Sequence, residues 1–420
     1  MTKTSFKTIK KNVFCCLNGE KSMAPAASQN YHANSLDILK GIGLFALLLM
    51  NCNRWFVAVP LPADVYGLHN STADIVISQF IDYFISGQWY GFLAFLLGVQ
   101  FFNSSKRESR QQRTDYFRRY LILLLIGVLH QVIWTGDILI IYALAGMLAV
   151  LLEKKGANVA LMIGLLCCTN LPGFFASLFL QLIHGKPPEH SASAAAENAG
   201  YISQLMTNGG IKQFIAFNID GIGPKYKYSL LTGQLFRIVG FYVLGYYAGR
   251  INFMQQVKDK ARLTGIVFMG CLFCFLSLLY LQASLFAKQG SDLVLDPVRG
   301  MVSNMQYVFG TASYLLGLLL LLQFYRFRQA VQVVAPSGHI WLSAYLFQTL
   351  TGLLLFYPIG FGLYPDTGPL QNLLIAVGLF LLQIVFGALW LRYFYYGPVE
   401  WLWRSGAAYR WRRMRRADTK

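Results

Sequence analysis

Two residues seven positions apart, His130 and Asp137 in IGVLHQVIWTGDILIIYAL, carry the clearest potential for proton chemistry in this sequence. Unperturbed histidine titrates near neutrality, so an imidazole can act as a general base or proton carrier. His130 stands about a turn and a half before the end of an apolar run, where an imidazole without a hydrogen bond is expensive. Two readings follow. The ring is a functional base, or it is a neutral histidine hydrogen-bonded to a neighbouring helix. Asp137 opens the next apolar run just after Gly136, so it can cap that helix, or it can orient His130 or a substrate hydroxyl.

Other polar residues lie inside or at the rim of apolar runs. Arg237 is the most costly of them, at least about 2.5 kcal/mol at a helix centre on insertion scales, and such a residue faces a cavity or a partner. Asp82 is one candidate for that partner. Gln88, Asn51, Asn53, Gln234 and Gln348 are polar positions suited to lining a cavity. Asp37 and Lys40, three apart at the end of the first run, fit a local ion pair with a snorkelling lysine, or recognition of a negatively charged cytoplasmic ligand. His69 and His339 fall outside or at the rim, where histidine needs no special explanation. No dinucleotide, P-loop or zinc-type signature is present, so the sequence indicates no metal.

These residues must be positioned by helices that cross a bilayer. Tyr116 to Lys155 reads as a hairpin of two such helices joined by Trp-Thr-Gly-Asp, with Arg118 and Arg119 before it and Lys154 and Lys155 after it. Lysine and arginine collect on the cytoplasmic side, so the turn faces outward. The segment SSKRESRQQRTDYFRR has six basic residues against two acidic ones and belongs inside by the same rule. Hydropathy predicts about ten spans: the LDILKG helix, 78–102, the hairpin pair, 157–183 broken near Asn170–Pro172, 228–249, 263–285, 305–324, 340–356 and 370–396. The polar stretch 184–226 has no run long enough to cross and fits an interfacial cap over a cavity.

Composition agrees. The chain has 420 residues, is 55% hydrophobic and 13% charged, with a mean hydropathy of +0.46, which excludes an ordinary soluble protein. The formal charge of +18 lies in short loops, so it sets topology and contacts anionic headgroups rather than nucleic acid. Of seven cysteines, Cys52, Cys167, Cys168, Cys271 and Cys274 lie in or beside apolar runs and read as helix filler. The expected organisation is an all-α, polytopic membrane helix bundle with both termini cytoplasmic. It has a basic arm over 1–35, expected to be disordered and, over 1–22, dispensable; a transmembrane domain over 36–396; and a basic, Trp-rich tail over 397–420.

At LDILKG, IGVLHQVIWTGDILIIYAL, SGHIWLSAYLFQT and LRYFYYGPVEWLWR the sequence resembles the YeiB family, bacterial inner-membrane proteins with a C-terminal domain of unknown function. It is also distantly similar to transmembrane acyltransferases. That second resemblance implies transfer of an acyl group from a cytoplasmic thioester donor to a cell-envelope substrate; the residues themselves make His130 and Asp137 the candidate catalytic pair. In one branch of those enzymes a basic residue on the first span is followed, after ten intervening residues, by a catalytic histidine. Here that spacing runs from Lys40 to Asn51, and an amide cannot take the proton. The sequence also has Gln88 and Ala344 where the YeiB pattern has lysine and asparagine. A transporter of a small polar or anionic solute, with Arg237 as charge partner, and a non-catalytic scaffold docking through the tail are the alternative functions.

Overall fold

The computed structural model describes residues 24–59, 65, 67–105, 113–184, 192–286 and 295–416. Among these, helices dominate and no extended strand forms; one isolated bridge joins Phe394 to Arg415. Apolar sequence of this kind favours helices because each backbone polar group is then satisfied within its own segment. Among the described residues, six helical stretches are long and apolar enough to cross a membrane: Ser35–Asn53, Thr72–Ser105, Tyr116–Ile133, Ala261–Ser284, Val298–Leu321 and Pro369–Tyr393. A seventh counts if Tyr325–His339 and Trp341–Phe356, bent by 82°, form one span.

The expected ten differ from this count because several runs are built from short helices. Leu139–Leu152 has 14 residues and reaches about 21 Å, less than the ~30 Å of a hydrocarbon core. The run 157–183 breaks where expected, between Ala157–Cys168 and Leu171–His184, with Asn170 in the left-handed region. The expected span over 228–249 is not continuous. Gly233, at φ 75°, separates Ile222–Leu231 from Gln234–Arg250, a conformation that costs glycine little. The first helix runs from Ala24 to Asn53, so its start lies inside the arm expected to be unstructured. The expectations for residues 1–23, for most of the basic loop at 106–112 and for the loop at 287–294 fall outside the described residues.

Gln88–Ser105 and Gln234–Arg250 pack backbone against backbone. A Cβ added at Gly98 would sit 2.0 Å from the Tyr242 carbonyl oxygen, and one at Gly245 would sit 2.0 Å from that of Phe95. The two backbones touch through glycine, the usual device where lipid supplies no hydrophobic drive between helices. Outside this pair, Ala261–Phe286 turns Leu263, Ile266, Met269 and Phe273 outward, and Pro369–Tyr393 does the same with Leu374, Leu381 and Leu382. Such faces suit acyl chains, not water. The stretch expected as a cap holds Ala192–Asn208, Ile211–Asp220 and Ile222–Leu231, and the last two pack on the end of Arg113–Ile133 that carries His130.

Candidate functional site

His130 lies in the last turn of Arg113–Ile133, and Asp137 follows the Thr135–Gly136 turn. The short turn folds the aspartate back onto the helix that precedes it. His130 Nδ1 is 2.7 Å from Asp137 Oδ1, and its Nε2 is 3.1 Å from Thr349 Oγ1. A carboxylate only accepts, so Nδ1 carries a proton; in the neutral imidazole Nε2 is then the acceptor facing the threonine hydroxyl, which also lies 3.4 Å from the Tyr345 carbonyl. Asp137 Oδ2 accepts from the Ile140 amide at 3.1 Å. One carboxylate therefore both caps a helix and orients the imidazole. All three side chains are buried.

Aromatic rings complete the enclosure. Trp134 and Tyr345 lie 5.7 and 5.3 Å from the His130 ring by centroid. The Trp134 indole donates to the Phe56 carbonyl at 2.7 Å, which ties this helix to the turn after the first one. That turn holds Trp55 and Phe56 at φ 48° and 58°, a conformation costing of order 1–3 kcal/mol per non-glycine residue, so packing must enforce it.

The cap closes the same end. Asn218 donates to the carbonyls of Val132 and Ile133 at 3.1 and 2.7 Å, satisfying the C-terminal carbonyls of the helix that carries His130. Lys225 Nζ donates to Gln131 Oε1 at 2.5 Å and to the Asp137 carbonyl at 2.6 Å. Burial lowers the Lys225 ammonium to about 8, with the Asp137 charge opposing that shift.

Thr349, Lys225 and Tyr345 were not singled out by sequence. Thr349 lies 219 positions from His130, and no local pattern marks such a pairing. Lys225 had a signal, a lysine within a stretch expected to cap a cavity. Gln348, next to Thr349, points elsewhere, donating to Gln383 at 2.9 Å and to the Leu44 carbonyl at 3.3 Å.

The remaining candidates do not join His130. Arg237 is buried, donates to Asn304 Oδ1 at 2.8 Å and lies 4.5 Å from the Tyr307 ring centre. Its suggested partner Asp82 instead meets Arg54 at 3.0 Å, both half exposed. Asparagine and a tyrosine face thus take the place expected of a carboxylate. Gln88 is fully buried, gives its amide to the Tyr83 carbonyl at 3.2 Å, and accepts from Thr311 through its backbone at 2.8 Å. Gln234 accepts from Ser229 at 3.3 Å. Asn53 is buried with an unpaired Oδ1, while Asn51 is half-buried at the end of the first helix.

Asp37 and Lys40 form the expected ion pair at 2.8 Å, at the Lys/Arg-rich end. Lys40 is buried rather than snorkelling and also donates to Gln100 at 3.1 Å. His339, expected to be unremarkable, lies 3.0 Å from the other oxygen of Asp37.

Long apolar helices around a buried His–Asp–Thr constellation define a helical membrane protein with an internal polar site. Residues 248–410 match a family model described as a protein of unknown function, DUF418. The chain is 25% identical over 402 residues to the uncharacterized protein YxaH of Bacillus subtilis (strain 168), covering 91% of this chain and 96% of that protein. It is 27% identical over 378 residues to the uncharacterized protein YeiB of Escherichia coli (strain K12), covering 88% and 95%. These matches support membership of the YeiB family. His130 and Asp137 lie outside the segment matched by the DUF418 model.

Proposed function

We propose that this protein is a multi-pass bacterial inner-membrane enzyme that transfers an acyl group from a cytoplasmic thioester to a hydroxyl of an envelope substrate. The observation that carries the reading is the Asp137–His130–Thr349 line. It has the form of a general base held by a carboxylate and presenting its free nitrogen to a hydroxyl. The Thr349 hydroxyl marks where an acceptor hydroxyl would lie. In the reaction Nε2 takes the acceptor proton, the oxygen attacks the thioester carbonyl, and the thiolate leaves and takes up a proton. The Lys/Arg distribution supports a threading with both termini on the cytoplasmic side, against anionic headgroups, and the cap on the outer side.

Thiol release from an acyl thioester in proteoliposomes, with an envelope extract as acceptor source, tests this reading. His130→Ala should lower turnover by roughly a hundred- to ten-thousandfold with expression retained. A folded His130→Ala protein working at the parent rate would eliminate the assignment. One observation favours the transporter alternative: Arg237 is a buried cation with no carboxylate partner among the described residues, as an anion path would require. Solute flux without covalent change would establish it.

A further inference from the structure

Arg237 and His130 stand on different helices, and a file of tyrosines runs between them. Arg237 spends one of its five N–H donors on Asn304 Oδ1, at 2.8 Å, and its buried Nε has no hydrogen-bond partner. The titratable groups that share its field are Tyr307, Cys168, Tyr228 and Tyr90, none of them a carboxylate. Asp82, which lies within reach of Tyr307, is taken by Arg54 at 3.0 Å.

Tyr90 is the middle of the file. On one side it lies in the field of Arg237 and of Tyr307, whose ring sits 4.5 Å from the guanidinium. On the other, Tyr345 shares the field of Tyr90 and Asp137, and its ring lies 5.3 Å from that of His130. Tyr142, on the helix that Asp137 caps, donates to the Tyr90 carbonyl at 2.9 Å and holds the two sides together. The hydroxyls of Tyr90 and Tyr307 bond to nothing among the described residues, and both side chains are only half-buried, so they face space that a ligand can enter.

The cap spans the same gap. Lys225 and Tyr228 are three residues, or about 4.5 Å of helix, apart on Ile222–Leu231. The first donates to the Asp137 carbonyl, and the second lies in the field of Arg237. Tyr345 and Thr349 stand one turn apart on Trp341–Phe356, a helix seated by Glu400, which accepts from the amides of Leu342 and Ser343 at 2.7 and 3.1 Å.

We infer that Arg237 grips an anionic group of the same molecule whose hydroxyl meets His130, with the Tyr90 and Tyr307 hydroxyls donating beside it. The acceptor is then a hydroxyl compound bearing a carboxylate or phosphate, not a neutral sugar or alcohol. A planar guanidinium fork offers such a group paired donors, and burial strengthens the attraction. This rests on the acyl-transfer reading above. Arg237 touches no reacting atom, so its loss acts on KM more than on kcat.

The test uses the full-length chain in proteoliposomes, with the envelope extract split on an anion exchanger into a retained anionic fraction and a flow-through. Thiol release from the acyl thioester is followed with each, after desalting. The retained fraction should support release and the flow-through should not. Arg237→Gln keeps a donor for Asn304 and loses the charge, so the apparent KM for the retained fraction should rise at least about tenfold, with kcat changed less. Tyr90→Phe removes a hydroxyl that holds nothing in the fold and should raise that KM severalfold even if Arg237→Gln fails to fold. Release driven by the flow-through, or the parental KM in both variants, overturns the assignment and leaves acyl transfer standing. Release with neither fraction defeats acyl transfer itself, and the acceptor assignment with it.

Discussion

Asp137→Asn probes the site more sharply than removal of the histidine. The aspartate performs two acceptor tasks with two oxygens, toward His130 Nδ1 at 2.7 Å and toward the Ile140 amide at 3.1 Å. An asparagine has one acceptor oxygen and one amide donor. If its oxygen keeps the cap, its NH2 faces Nδ1, and the imidazole must move its proton to Nε2. The nitrogen facing Thr349 then donates rather than accepts, and base chemistry stops. If the oxygen keeps His130 instead, the cap is lost at about 0.5–2 kcal/mol. The same exchange in a Ser-His-Asp triad lowers turnover about ten-thousandfold through the wrong tautomer, and we expect a loss of about a thousand- to ten-thousandfold here. Thiol release measures the rate. The ¹⁵N shifts of labelled His130 report the tautomer without a substrate, and the unfolding midpoint in detergent reports the cap. Parental turnover in folded Asp137→Asn protein, with the imidazole proton still on Nδ1, would refute the argument.

Four other outcomes follow from the geometry. Gly98→Ala and Gly245→Ala each drive a methyl into a carbonyl on the facing helix and should destabilise the fold by about 1–3 kcal/mol or more, read from detergent unfolding. Lys225, lowered to about 8 by burial, holds fewer protons folded than unfolded between pH 8 and its ordinary 10.5. Stability should therefore rise with pH across that window, and Lys225→Met should flatten the slope in unfolding scans. Arg237→Leu should keep the fold, at a cost of about 1–3 kcal/mol for the orphaned Asn304 oxygen; a wild-type midpoint would show that the Arg237–Asn304 bond is energetically idle. Impermeant thiol labelling of Arg412→Cys from inside, and of Tyr201→Cys from outside, should confirm the threading; reversed labelling would invert it.

The helical class was legible because hydropathy reports solvent directly, and so was the His130–Asp137 contact, because a tight turn leaves two residues seven apart few places to go. The number of full spans was less so. Composition does not say where a left-handed residue such as Gly233 or Asn170 will cut a run into two short helices. Long-range partners were not legible at all. Asp82 was a plausible counterion for Arg237 by depth alone, yet Arg54, 28 positions before it, reaches it first. Nothing local to Thr349 or Asn304 distinguishes them from other polar residues in apolar helices, since their roles are set by which helices pack together.

Glu400 has a consequence of a mechanical kind. By accepting from Leu342 and Ser343 it seats the first turn of Trp341–Phe356, just after the 82° bend, and that same helix carries Thr349 about 10 Å further along. A helix moves as a rod over such a distance. The tail segment Pro398–Ala407 therefore works as a footing for the helix that carries Thr349, and whatever shifts the tail will change the gap between Thr349 and the imidazole.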